Sequence, residues 1–248
     1  MAKKPRTPDP PRKVQAPKVR HKQAQKPGFT MPGTNVFISA GLFVIAGLVV
    51  ALFLVLSGSK HSPFVTDKGV QNVTEAMTAT GCTFKASRAS AAQRHMQDPN
   101  EKVVYKTFPA SSGVHNSSPA IWGNYRNPAD PRQVVHNLEH GGIIIWTGPE
   151  ISAANRSSLD TFYEADPNGI VITPLKDPYL GVSYPKHDPL GSKIAMTVWT
   201  VGTKTSKVPT AYVAICPSYD EKGFAAFRNT FRAKGPEPFP LKQLTPGS

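Results

Sequence analysis

Four histidines lie within a stretch of 46 residues in the middle of the chain: His95, His115, His136 and His140. Neutral imidazole is the commonest metal ligand in proteins, so this clustering predicts a transition-metal site. Imidazole nitrogen suits zinc, copper, nickel and iron. Met96, beside His95, and Met196 would add softer ligands that favour copper, although a lone methionine in a strand such as IAMTVW is more often part of the core. We therefore expect a copper or zinc ion, held by these four histidines.

The densest part of the cluster is the run HNLEH at residues 136–140, which two glycines follow. If the run is helical, His136 and His140 lie one turn apart on one face and can share an ion, while Glu139 orients one of the imidazoles. An aspartate and a proline before the run and a glycine after it favour the helix. A strand–turn–strand arrangement would also bring the two histidines together.

The same run supports two other hypotheses. It spells H-x-x-E-H, a zinc-peptidase signature in which the glutamate activates water, so Glu139 would be the base of a zinc-dependent hydrolase. Alternatively, the histidines and Glu139 form a structural polar network in a non-catalytic cell-envelope interaction module. In that module Trp122, Tyr125 and Trp146 fill a core or a partner surface. The sequence shows no recognisable nucleophile–base pair and no serine in a G-x-S-x-G elbow. It therefore favours metal handling over catalysis.

The elements that must position these residues begin with an apolar run, Val36–Leu56. A helix of about 20 apolar residues crosses a bilayer core, so we predict a transmembrane helix over residues 34–57. The run is too long for a signal peptide. Nine basic residues and one acidic residue precede it within residues 1–28. By the positive-inside rule the N-terminus is cytoplasmic, and the chain is a single-pass plasma-membrane protein with an extracytoplasmic C-terminal domain.

The first 32 residues are rich in proline and charge, so we expect them to be disordered. They hold most of the formal net charge of +13. No aromatic residue interleaves with the basic ones before Phe29, which argues against a nucleic-acid partner. The expected partners are the lipid bilayer, with anionic lipid headgroups for the basic tail, and other envelope proteins. The charge of the tail can also serve as a topology signal alone.

The two cysteines, Cys82 and Cys216, both fall in the exported part, where disulfides are permitted. A bridge between them would close a long loop and stabilise the domain. The alternatives are two buried free thiols or, less strongly, metal ligands, since neither cysteine lies in a C-x-x-C pair. We expect the disulfide.

Hydrophobic periodicity predicts helices over 71–80, 152–165 and 223–234, and strands over 103–108, 142–146, 170–175 and 194–201. Residues 211–215 form either another strand or the lead into a helix. This mixture predicts an α+β or α/β fold with a mixed sheet. The order strand–helix–strand–strand–helix from Ile143 onward is that of the second half of thioredoxin-like folds. The predicted plan is a tail (1–32), the membrane helix (34–57), a linker (58–70), the extracytoplasmic domain (71–240) and a C-terminal tail (241–248).

Several short motifs are spread over the exported part of the chain. They are S-G-V-H at 112–115, W-G-N-Y at 122–125, V-H-N-L-E-H-G-G at 135–142, A-M-T-V-W at 195–199 and G-P-E-P at 235–238. Together they resemble a bacterial family catalogued as domain of unknown function 3105, whose upstream histidine matches His95. The resemblance covers about residues 66–240. It implies a membrane anchor and one shared site marked by these motifs, without implying an activity.

Residues and resemblance together predict a membrane-tethered extracytoplasmic domain that binds a transition metal. The predicted ligands are His115, His136 and His140, with His95 as the fourth and Glu139 in support.

Overall fold

A computed structural model describes residues 62–90 and 94–248 of the chain. The predicted basic tail, the predicted membrane span Val36–Leu56 and the first part of the linker lie outside these described residues. No helix within the two described ranges combines the length and the apolar composition that a bilayer crossing requires.

The described residues form a mixed α+β domain with four α-helices and a mixed sheet. The helices are α1 (Asp67–Ala79), α2 (Pro131–Glu139), α3 (Ala153–Ala165) and α4 (Glu221–Phe231). The strands are β1 (Thr83–Arg88), β2 (Val103–Val104), β3 (Ile143–Thr147), β4 (Ile170–Pro174), β5 (Val182–Ser183), β6 (Ile194–Thr200) and β7 (Thr210–Cys216). A short 3-10 helix, Leu241–Gln243, lies near the C-terminus. The α+β prediction is confirmed at this level.

Five strands form the main sheet in the order β1-β7-β6-β3-β4. β3 and β4 run parallel, whereas β6, β7 and β1 each run antiparallel to their neighbours. α3 makes the crossover between the two parallel strands, as parallel pairing requires. β2 and β5 form a separate two-stranded parallel ladder.

One face of the sheet, which we call the helix-covered face, is packed by α1, α3 and α4. α4 presents Phe224, Phe227 and Phe231 at helical spacing, and all three are buried. α1 contributes Val73 and Met77, which are four residues apart and so lie on the same side of the helix. These side chains meet the odd-numbered isoleucines of β3 and the even-numbered residues of β6, because successive strand residues point to opposite faces.

The other face, which we call the loop-covered face, is packed by α2 and by irregular segments within residues 105–129 and 175–190. Trp146 of β3 and Trp199 of β6 form its floor, and both are fully buried. β3 is therefore buried on both sides, which explains why its sequence is continuously apolar rather than alternating.

The predicted elements from residue 142 onward agree with the structure to within a few residues. Two strands were not predicted: β1, which is exposed at nearly every position, and β5, which has two residues. The predicted strand over 103–108 shrinks to Val103–Val104. β1 has almost no buried position and β5 is too short to show a period, so neither leaves a pattern in the sequence.

Cys82 and Cys216 lie next to each other at the edge of the main sheet. The antiparallel register pairs Thr83 with Ile215, so the residues just beyond this pair are also opposite each other. Their sulfur atoms are 2.13 Å apart and their Cα atoms 4.1 Å apart, an arrangement compatible with a disulfide.

Candidate metal centre

The helical alternative for residues 136–140 is the one that the structure adopts. The side chain of Asp130 caps α2 by accepting from the Arg132 amide at 2.9 Å, and Pro131 opens the first turn. The helix ends at Glu139, and His140 is its C-cap. α2 packs against β3 and β6, which directs its C-terminal end onto the loop-covered face.

The two glycines after the helix are required by close packing. Gly141 has a φ of +86°, and a Cβ there would lie 2.8 Å from the Cα of Ala233. A Cβ on Gly142 would lie 2.5 Å from the Trp122 ring. Gly235 is as tightly placed, since its Cβ would lie 2.3 Å from the Glu139 carbonyl oxygen. The G-G, W-G-N-Y and G-P-E-P motifs therefore meet at the end of α2.

Asn137 attaches the loop before α2 to the helix. It is fully buried; its amide donates to the Ala120 carbonyl at 2.8 Å, and its oxygen accepts from the Ala120 amide at 2.9 Å. A second attachment is an isolated bridge between His95 and His115. It places a segment that begins beyond the undescribed residues 91–93 next to the loop that carries His115.

Three of the predicted histidines have the same hydrogen-bonding arrangement. The Nδ1 atoms of His115, His136 and His140 lie 2.7, 2.8 and 3.3 Å from the carbonyl oxygens of Gly113, Asn116 and Glu237, respectively. A carbonyl only accepts, so Nδ1 of each ring carries the proton. In the neutral tautomer, Nε2 then holds the lone pair that a metal ion would bind.

His95, His115, His136 and Glu139 bring one ligand atom each to within 4.8 Å of one another, so this group could hold a metal ion. Oε2 of Glu139 lies 3.0 Å from Nε2 of His115 and 4.0 Å from Nε2 of His95. The side chains of His115 and Glu139 are buried, whereas that of His95 is 48% exposed. The group thus has a buried interior and one exposed member.

His140 lies outside this group of four and contacts it through His136. The two Nε2 atoms are 2.8 Å apart, and the His140 ring stacks on Phe239 at 4.1 Å between centroids. The sequence predicted His140 as a ligand and Glu139 as its support. The geometry brings Glu139 into the group and sets Nε2 of His140 against Nε2 of His136. With both rings protonated at Nδ1, these two acceptor atoms also need a proton or a metal ion between them.

The electrostatics favour unprotonated ligands. Burial lowers the pKa of His136 to about 4, a shift that the hydrogen bond to the Asn116 carbonyl only partly offsets. Burial raises the pKa of Glu139, but its hydrogen bond with His115 and the nearby imidazoles outweigh burial, so the net shift is downward. At neutral pH the cluster therefore combines a buried neutral imidazole with a buried carboxylate.

The two methionines considered as soft ligands lie on different faces of the sheet. Met196 is fully buried on the helix-covered face, on the opposite side of the sheet from the site. Met96 directly follows His95 and packs against the apolar cluster of the loop-covered face. The four grouped residues offer imidazole nitrogen and carboxylate oxygen.

Several residues that shape the site were not singled out from the sequence. The Gly113 carbonyl anchors the His115 ring, and the Asn116 carbonyl anchors the His136 ring. Asn137 fixes the loop that carries Asn116. The motifs marked these positions as shared features without indicating their roles. His187, which lies outside the cluster, is stacked on Phe108 and bonded to Asp177 at 2.8 Å.

Comparison with known proteins agrees with this geometry. A family model described as protein of unknown function (DUF3105) matches residues 95–237, more than half of the 248-residue chain. The match begins at His95 and ends at Glu237, whose carbonyl faces the His140 ring. No curated protein and no solved structure matched the chain. On the family match, the chain belongs to the family described as protein of unknown function (DUF3105).

Proposed function

We propose that the domain binds one divalent transition-metal ion, zinc or copper, through His95, His115, His136 and Glu139. The observation that carries this proposal is the convergence of four ligand atoms within 4.8 Å, three of them buried. In the neutral His115 ring, Nε2 carries no proton and faces the Glu139 carboxylate at 3.0 Å. Two acceptors at this distance need a cation between them, either a proton or a metal ion.

Binding requires only a small contraction of the group. Two ligand atoms that are each about 2 Å from a tetrahedral ion lie about 3.3 Å apart. His115 and Glu139 are already at 3.0 Å, whereas His95 and Glu139 are at 4.0 Å. Since His95 is the exposed member, it is the side chain that moves to close the site.

The donor set favours Zn²⁺ or Cu²⁺. Three imidazole nitrogens and one carboxylate oxygen suit these borderline ions better than they suit Ca²⁺ or Mg²⁺, which prefer oxygen ligands throughout. Cu⁺ prefers sulfur, whereas the four grouped residues offer nitrogen and oxygen.

Metal handling fits this arrangement better than hydrolysis does. A catalytic zinc keeps an open position for water, whereas four protein donors fill a tetrahedron. Glu139 lies among the ligand atoms rather than beyond them, so it acts as a ligand and not as a base that activates a bound water.

The experiment is metal analysis of the purified full chain, combined with titration of Zn²⁺ and Cu²⁺ into chelator-treated protein. We expect one equivalent of ion and a rise in melting temperature on binding. His95→Ala and Glu139→Gln should reduce occupancy, and His95→Ala is the safer variant because its ring is exposed. His187→Ala removes an imidazole outside the cluster and should leave occupancy unchanged.

Two results would overturn the proposal. The first is no stoichiometric ion together with an unchanged melting temperature in EDTA, which would leave the structural polar network as the role of the cluster. The second is full occupancy in His95→Ala. His140→Ala then decides the fourth ligand: retained occupancy supports Glu139, and loss would replace it with His140.

We also propose that the predicted span at residues 34–57 tethers this domain to the outer side of the plasma membrane. The support is the apolar length of the span and the excess of basic residues before it. Deleting residues 34–57 should release the protein from carbonate-washed membranes. A reporter fused to the C-terminus should be active only outside the cytoplasm, and cytoplasmic activity would reverse the orientation.

Two finer features of the fold belong with this placement. We infer that Cys82 and Cys216 are bridged, because the register sets them opposite each other and the proposed compartment is oxidising. We infer a thioredoxin-like order from β3 to α4. Its support is the β7-β6-β3-β4 sequence of strands, with one parallel pair and a final helix.

A further inference from the structure

A cavity of about 630 Å³ opens on the loop-covered face beside the edge strand β1. Val213 and Ile215 of β7 form part of its lining, because these residues alternate with the ones that point to the helix-covered face. Phe108, Pro185 and Pro189 supply further apolar surface from two loops. The volume lies within the usual range for small-molecule sites.

Four lysines line this cavity: Lys85, Lys106, Lys186 and Lys193. Asp188 is the one acidic residue in the described lining. Lysines from β1, from the segment after β2 and from the loop before β6 thus converge on one opening, although they are far apart in sequence. The cavity carries a positive field that selects anions.

The ammonium groups of these lysines are not neutralised by the protein. No carboxylate in the described part of the chain lies within ion-pair distance of any of the four, whereas Arg94, Arg126 and Arg132 each have an acidic partner. The nearby Asp177 is bonded to His187. The cations are therefore available to a ligand from outside the chain.

The lining combines these cations with an apolar floor. An anion without an apolar part would leave the half-buried Ile215 and Phe108 facing water, and a neutral apolar molecule would leave four ammonium groups unpaired. The ligand that matches both is an anion attached to an apolar body.

We propose that this lysine-lined cavity binds an amphipathic anion, in which a phosphate or carboxylate head contacts the lysines and an apolar chain covers the floor. The ligand can come from the headgroup and first carbons of an acidic lipid or from a free single-chain anion. This site shares no residue with the proposed metal centre, so the two can be tested separately.

The test is calorimetric titration of the full chain in non-ionic detergent, with the heat of titration into detergent alone subtracted. The probes are dihexanoyl phosphatidic acid, octyl phosphate, dihexanoyl phosphatidylcholine and inorganic phosphate. We expect the first two to bind and the last two to bind at least about tenfold more weakly, since each lacks one of the two matching parts. Tighter binding of the diacyl probe indicates a lipid, and equal binding indicates a free amphiphile.

A charge variant and its matched control complete the test. Lys106→Gln with Lys186→Gln should weaken binding of the phosphatidic acid by about tenfold, because each exposed ion contact contributes roughly threefold. Lys222→Gln with Lys242→Gln removes the same charge from elsewhere on the surface and should change binding less than about twofold. Both variants replace exposed side chains, so both should fold.

Four outcomes would overturn the proposal. Equal binding of phosphatidylcholine would show that charge is not recognised, and equal binding of inorganic phosphate would show that the apolar floor is not used. Equal weakening by both double variants would show that only the overall charge matters. If a hexaglutamate peptide binds and neither amphiphile does, the partner is an acidic polypeptide instead.

Discussion

The two faces of the main sheet are covered by different kinds of structure. The helix-covered face is packed by three regular helices, and its buried residues are almost entirely apolar. The loop-covered face has one helix and long irregular segments, and it holds every buried histidine, glutamate and asparagine of the described residues. In a regular helix most backbone carbonyls accept hydrogen bonds from amides of the same helix, whereas carbonyls in loops remain available to accept from imidazole rings. The chemistry of this domain therefore lies where secondary structure is sparse.

The largest change in the free energy of unfolding should come from the cysteine pair, which lies on the helix-covered face. Cys82→Ser with Cys216→Ser, or full reduction, should cost about 5 kcal/mol, since a bridge at a sequence separation of 134 restricts the unfolded chain strongly. Urea unfolding with and without reductant measures this loss. An unchanged unfolding midpoint would show that the pair does not bridge, and metal occupancy in the folded reduced protein should stay the same.

Glycine-to-alanine changes should have opposite effects on the two faces. Gly235→Ala should destabilise by about 3 kcal/mol, because its Cβ would collide with backbone atoms of Glu139 and Gly141. Gly223→Ala, in the first turn of α4, should stabilise by about 0.5 to 1 kcal/mol, because its Cβ meets only ordinary contacts and alanine favours a helix. Thermal unfolding of the two variants gives the comparison, which fails if their shifts have the same sign.

Replacing asparagine side chains should give a smaller difference in unfolding free energy between the two faces. Asn137→Ala should cost about 2 to 3 kcal/mol, because it leaves both polar groups of the Ala120 backbone without their buried partner. Asn155→Ala removes a single half-buried bond to Tyr219 and should cost about 1 kcal/mol. Chemical denaturation measures both. If the Asn155 variant loses as much stability as the Asn137 variant, burial on the loop-covered face is not the deciding factor.

Two ion pairs should respond to pH in opposite directions, each by less than about 1 kcal/mol. The Arg232 hydrogen bonds hold the pKa of Asp166 below its usual value despite burial. The stability from this pair is complete above the unfolded pKa of about 3.9, and it is lost as the pH falls through the folded value.

His187 should show the reverse. Burial lowers its pKa, but bonds to the Pro185 carbonyl and Asp177 outweigh burial and raise it overall. Its contribution is complete below the unfolded pKa of about 6.5 and is lost as the pH rises through the folded value. NMR titration of the His187 ring and of the Asp166 carboxyl group checks both directions. A midpoint of His187 below 6.5 would contradict the assignment.

The sequence was most informative where burial imposes a period. The spacing of Phe224, Phe227 and Phe231 predicted α4 because one face of that helix is buried. β1 was missed because it is exposed at nearly every position, so no alternation marks it. Periodicity reflects burial, and β1 has little of it, whereas β4 at the other edge of the sheet is buried and was predicted.

At the site, residue types were predictable and roles were not. The histidines were found by their clustering, but the loop carbonyls that orient them depend on a chain path that no local pattern encodes. For Met196 the local pattern was enough: a lone methionine in a strand is more often part of the core. Met196 and Trp199 are also three residues apart on β6, so they point to opposite faces. That spacing alone separates Met196 from any site beside Trp199, whose ring contacts His115.

The isolated bridge that carries His95 has a consequence for how fast an ion would exchange. Three donors are held in the interior, and the fourth is on the surface. Release would then proceed stepwise, with His95 leaving first and opening one coordination position towards solvent. If the proposed ion binds, a donor from another molecule would occupy that position before the interior donors dissociate. The ion would then pass directly from one protein to the next without a free aqueous intermediate. Such an exchange suits a protein that transfers an ion better than one that stores it.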